Sequence, residues 1–116
     1  MDRKKELKQQ YKQMKTKMGL YMIYSAANKK SFIETTKDLK GRINMTKFKL
    51  ELGNHPVKSL QEDWKKFGKS NFTIEILEEV GYEEGKLEND YQDELSFMEM
   101  IWEEKLLKQN VELYKK

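Results

Sequence analysis

The chain has 116 residues, of which 23 are Lys or Arg and 20 Asp or Glu, and it contains no cysteine. Disulfides and thiolate metal sites are therefore excluded, and the length suits a single domain with a modest core. No apolar run approaches the ~20 residues of a membrane span, and the Lys-rich start from Met1 to Lys5 is unlike a secretory leader, so a cytosolic chain without membrane association is expected.

The net charge of +3 conceals an asymmetry: residues 1–70 hold 18 basic against 7 acidic side chains, and residues 71–116 hold 5 against 13. Such a split suggests a polyanion, nucleic acid above all, as partner of the first part. The alternative is an acidic C-terminal helix that folds back and neutralises the basic part internally.

In chain order, residues 2–16 carry Leu7, Tyr11 and Met14 at helical spacing among Lys, Gln and Glu, which predicts a short amphipathic helix packed on the core. Residues 19–35 read as a hairpin, two aromatic and β-branched runs around the polar turn Ala27-Asn28-Lys29-Lys30. In the first run Leu20, Met22 and Tyr24 alternate with Tyr21 and Ile23, so both faces are expected to be covered. Thr35, Thr36 and Asp38 are cap-forming residues for a helix over 37–51, with Leu39, Ile43, Leu50 and Phe48 turned inward. Gly41 inside that helix is read as allowing it to sit close to the hairpin.

Gly53 suits the end of this helix and Pro56 the start of the next, 57–67, whose Val57, Leu60, Trp64 and Phe67 share one face. Residues 71–77 alternate as a third strand with Phe72, Ile74 and Ile76 on one side. A polar stretch around Gly81 and Gly85 precedes the longest helix, 91–108, striped by Leu95, Met98, Trp102 and Leu106 with Glu99 beside them. The tail 111–114 either adds a small edge strand or docks. The expected fold is α+β: a small, largely antiparallel three-stranded sheet flanked by helices, as a domain over 18–116 with an N-terminal helical extension over 1–17.

Arg42 falls about one turn into the helix that follows the hairpin, so its guanidinium can swing back toward the face carrying Tyr21 and Phe32. A phenol and a guanidinium on one surface suit a phosphate. Each residue also has a plainer reading. Tyr21 can be a core aromatic, Arg42 an ion-pair partner of Glu75 or Glu78, His55 a cap or loop residue, and Glu99 part of a solvated acidic face.

In this order and at these intervals the chain resembles the GIY-YIG nuclease family, in its homing-endonuclease branch. Gly19-Leu20-Tyr21 is similar to the first signature tripeptide, Phe32-Ile33-Glu34 stands at the second, and Arg42 lies at the expected distance beyond. Leu52-Gly53-Asn54-His55, Leu60 to Trp64, Phe72 to Glu79 and Glu99-Met100-Ile101-Trp102 continue the likeness over roughly residues 18–106. The sequence departs from the pattern at Phe32, where a second tyrosine belongs, and at Glu34, where a glycine belongs. Thr46 stands where many relatives carry a histidine.

The resemblance implies a DNA endonuclease that cuts phosphodiesters with one divalent ion, Mg²⁺ or Mn²⁺. Tyr21 would be the general base or orient the attacking water, Arg42 would neutralise charge on the phosphoryl oxygens, and Glu99 would hold the metal. His55 would contact phosphate or pass a proton. The alternative is a module without catalysis that binds nucleic acid or a protein through its basic face.

Overall fold

The computed structural model describes residues 17–115 except Glu84, so the helix expected over 2–16 lies outside the described residues. Strand β1 (Met18–Ser25) runs down the middle of the sheet, antiparallel to both β2 (Lys30–Thr36) and β3 (Phe72–Val80). Its residues are apolar on both sides because both sides are covered. Met18 and Leu20 enter a cluster with Ile33, Val80, Tyr91, Leu95, Met98 and Leu106. Tyr21 and Ile23 enter a second, with Phe32, Leu39, Leu50, Val57, Leu60 and Tyr114. Two thin cores, one on each face of a single sheet, suit a chain with so few apolar residues.

Helix α1 (Leu39–Leu52) and helix α2 (Lys58–Phe67) supply the second cluster, and helix α3 (Glu88–Lys108) the first. On α1 the buried face is Leu39, Thr46 and Leu50 with Ile43 half-buried, a spacing of four, three and four. Phe48, expected inward, is 59 % exposed, since it lies two residues from Leu50 and so on the far side of the helix. The Asp38 carboxylate caps α1 by accepting from the Gly41 N–H at 3.0 Å. A Cβ on Gly41 would meet that carboxylate at 2.1 Å, so this glycine makes room for the cap rather than for the hairpin.

Gly19 answers a tighter demand. A Cβ there would lie 2.1 Å from the Glu78 carbonyl oxygen of β3, so the neighbouring backbones leave no space for any side chain. The same region carries an irregularity: Leu20 pairs with Glu78 but Tyr21 with Ile76, leaving Leu77 as the extra residue of a bulge on β3. Phe72 and Ile74 pack against the α1–α2 side as expected, whereas Ile76, on the same side, is 46 % exposed. As the edge strand, β3 carries Ile76 past the helices.

The sheet has four strands, in the order β3-β1-β2-β4: the three expected, and the small edge strand that was one of the two readings of the tail. Strand β4 (Glu112–Leu113) pairs in parallel with β2 at Lys30 and Ser31. Two residues are too few for an alternating pattern to be recognised. Tyr114 then donates its backbone N–H to the Ser31 carbonyl at 2.8 Å and its hydroxyl to Asp63 of α2 at 2.6 Å, so the tail ties the sheet to α2.

Charge follows the layers. Residues 39–67, on one face, hold seven Lys or Arg against three acids, and residues 88–108, on the other, hold seven acids against two lysines. Packing on the opposite face, α3 leaves Lys40, Arg42, Lys47, Lys58, Lys65 and Lys66 exposed on the α1–α2 side. The acidic helix does not fold over the basic one.

Candidate active site

The four-residue turn 26–29 fixes the hairpin register, with Ser25 opposite Lys30 and therefore Tyr21 opposite Glu34. Directly opposed residues share a face, and this pair faces α1. The Tyr21 side chain is fully buried, and its hydroxyl donates to Glu34 Oε1 at 2.6 Å. Its oxygen lies 2.9 Å from Thr46 Oγ1, one turn beyond Arg42 on α1. With the phenolic proton directed at Glu34, the threonine hydroxyl is the donor in that second bond.

Arg42 completes the group. Its Nε donates to Glu34 Oε1 at 2.7 Å and its Nη2 to Glu34 Oε2 at 3.0 Å, a two-point fork on one carboxylate. The predicted swing of the guanidinium toward the hairpin is borne out in geometry. Its partner is Glu34, not Glu75 or Glu78 of β3. Tyr21 and Arg42 thus bond the same oxygen, and the Arg42 side chain remains 42 % exposed.

Electrostatics follow from this closeness. Burial, then the bond to the Glu34 carboxylate, pushes the Tyr21 phenol well above its ordinary value, outweighing the opposite pull of Thr46 and Arg42. The phenol is neutral and a donor in this arrangement. Arg42 is pushed up by its bond to Glu34 and holds its charge throughout.

Behind this group lies a line of rings. Phe32 meets Tyr21 edge-on at 6.3 Å, and His55 meets Phe32 at 5.6 Å and 89°. His55 is buried, its Nδ1 accepts the Val57 N–H at 3.1 Å, and its backbone N–H donates to Gln61 Oε1 at 2.9 Å. Gln61 in turn donates to the Leu50 carbonyl at 3.0 Å, fastening the loop to the end of α1. Burial pushes the imidazole below its usual value, Lys49 and Arg42 add to this, and Glu34 opposes it. His55 is therefore neither a simple cap nor an open loop residue; Phe32 separates it from Tyr21.

Glu99 is half-buried on α3, next to Met98 of the first core cluster. It belongs to the helix on the opposite face of the sheet from α1. Trp102, one turn on, donates its indole N–H to Glu78 of β3 at 3.0 Å. Tyr21 and Arg42 are brought into direct contact through Glu34, with His55 one ring away; Glu99 comes from a separate layer.

Two members of the group were absent from the sequence-derived set. Thr46 had a signal, being four residues past Arg42 and so on the same side of α1. Glu34 had a partial one: strand alternation puts it on the Tyr21 face, but the turn read as 27–30 would set Thr36 opposite Tyr21, and only the observed turn at 26–29 sets Glu34 there.

No protein-family model matches the chain, and no curated protein matches it significantly. Among solved structures, the catalytic domain of the intron endonuclease I-TevI, as a point mutant, is 28% identical over 86% of this chain and 93% of its own, with a TM-score of 0.66. A second structure of that homing endonuclease's catalytic domain is 28% identical over 85% and 99%, with a TM-score of 0.65. Fold, motif order and the likeness to these domains agree: the chain has the fold of the I-TevI catalytic domain, a GIY-YIG homing-endonuclease domain, and departs from that family's second motif at Phe32 and Glu34.

Proposed function

We propose that the chain is a divalent-metal-dependent DNA endonuclease that hydrolyses phosphodiester bonds. The observation that carries this reading is the convergence of the Tyr21 hydroxyl and the Arg42 guanidinium on one anionic oxygen. An array that binds a carboxylate at two points has the geometry and charge to bind a phosphoryl group. Arg42 would take the non-bridging oxygens and neutralise charge that grows on them as water adds. Tyr21, with its phenol held neutral, would orient the attacking water through its oxygen, with Thr46 fixing the angle of the hydroxyl. His55 acts as a positioning residue, its ring fixing Phe32 and through it Tyr21.

Among the described residues no three His, Cys, Asp or Glu side chains gather as a metal-binding cluster. Mg²⁺ or Mn²⁺ would need only one or two protein carboxylates, with water and substrate oxygens completing its shell. Glu99 is the carboxylate proposed to hold it, and when bound the ion would stabilise the leaving oxygen as a Lewis acid. The exposed lysines of α1 and α2 would carry the flanking backbone.

Plasmid nicking with Mg²⁺ or Mn²⁺ tests the proposal on the wild type, Arg42→Ala and Glu99→Ala. Loss of about 100-fold or more in both variants is expected. No nicking by the wild type with either metal rejects it. One observation favours a second reading, a nucleic-acid-binding module without catalysis: the Arg42 fork is already filled by Glu34. That reading requires binding that weakens steeply with salt but no nicking.

A further inference from the structure

We infer that Glu34 is an internal stand-in for the substrate's phosphate, occupying the anion site of the free protein so that nucleic acid must displace it to reach Tyr21 and Arg42. The inference rests on the endonuclease reading and adds the regulation of its site.

Three features of the geometry support it. First, Glu34 makes the contacts a phosphoryl group would make: two oxygens on the Arg42 fork at 2.7 and 3.0 Å, and one of them also taking the Tyr21 proton at 2.6 Å. Guanidinium recognises carboxylate and phosphate by the same parallel pair of N–H bonds, so one occupant excludes the other. Second, a phosphate placed beside an undisplaced Glu34 would meet a like charge at the very group meant to bind it.

Third, the occupant can leave. Glu34 lies two residues from the end of β2 on a flexible side chain, 22 % of which is exposed, and Arg42 opens to solvent. A partly exposed ion pair is held weakly enough for a competing anion to exchange with it. Tyr21 does not lose its anchorage when Glu34 departs, because Thr46 still holds its oxygen. The glycine that the family pattern places at this position has no side chain with which to compete.

The test uses the whole chain with Glu34→Ala and Glu34→Gln, each alone and combined with Arg42→Ala, and with Glu62→Gln as a control for general charge. Inorganic phosphate is titrated while the backbone amide resonances of Tyr21 and Thr46, present in every variant, are followed, and a 20-base-pair duplex is titrated separately. Glu34→Ala is expected to tighten both by about tenfold, Glu34→Gln by less, and the gain should vanish with Arg42→Ala. Glu62→Gln should leave phosphate binding at Arg42 unchanged. Should Glu34→Ala fail to fold, the nearly isosteric Glu34→Gln carries the same test.

Unchanged or weaker phosphate binding in a folded Glu34 variant overturns the inference, even if the wild type nicks DNA. So does a gain that survives Arg42→Ala. A gain at Arg42 with no nicking by any variant under either metal upholds the displaced-anion claim and removes the endonuclease reading instead.

Discussion

Tyr21 and Glu34 face each other across β1 and β2, hydroxyl to carboxylate at 2.6 Å, and Arg42 closes on the same carboxylate from α1. This contact links a core aromatic to a half-exposed cation. It is the point at which packing and the proposed chemistry meet, and its removal should register in both.

Tyr21→Phe keeps the ring, and with it the contact to Phe32, but deletes the hydroxyl that serves Glu34 and Thr46. Thr46 is then a buried hydroxyl without this partner, so a loss of about 1–3 kcal/mol is expected in urea unfolding. Nicking by the same protein should fall by about 100-fold, because water loses its orienting group. Full activity in the variant would remove Tyr21 from the mechanism.

Gly19→Ala places a methyl group where the Glu78 carbonyl already stands, 2.1 Å from the new carbon. Backbone on both sides of the contact must shift, in the central strand of the sheet. Destabilisation of about 2–4 kcal/mol is expected, read as a lower urea midpoint with unchanged slope. A change within experimental error would show that β1 and β3 can part without cost.

The buried His55 gives a pH dependence with a definite sign. Its folded value lies below the ordinary 6.5, so the unfolded chain binds the proton more readily. Its contribution to stability is present above about 6.5 and is lost as pH falls through the folded value. His55→Gln should therefore show a shallower decline in stability between about pH 7 and pH 5 than the wild type. Parallel curves for the two proteins would show that the imidazole is as well solvated folded as unfolded.

At the other end of the scale, burial and the neighbouring Asp63 push the Tyr114 phenol from 10.0 up to about 12. Here the folded chain holds its proton longer, so stability is full below about pH 10 and falls between the two values. Tyr114→Phe should remove that component of the decline. It also deprives Asp63 of one of its two donors, the other being Asn28 at 2.7 Å, and should cost about 1 kcal/mol at neutral pH. Hydrogen exchange at Tyr114 and Ser31 would report whether the tail has come loose.

Periodicity alone made much of this protein legible. The alternation from Leu20 to Tyr24 announced a strand covered on both sides, and the recurrence of Leu95, Met98, Trp102 and Leu106 announced the long helix. These are local regularities, and burial repeats at the period of the backbone. The exact register was not legible: a turn at 27–30, as read from the sequence, would set Tyr21 opposite Thr36, whereas the observed turn at 26–29 sets it opposite Glu34. What only tertiary structure decided was whom the charges meet. Arg42 had several acids within plausible reach, and the packing of α1 on the hairpin selected Glu34. The two residues of β4 and the bulge at Leu77 leave no periodic trace either. A side chain's partner depends on how separate elements lie against one another, and that is a property of the packed whole rather than of any stretch of sequence.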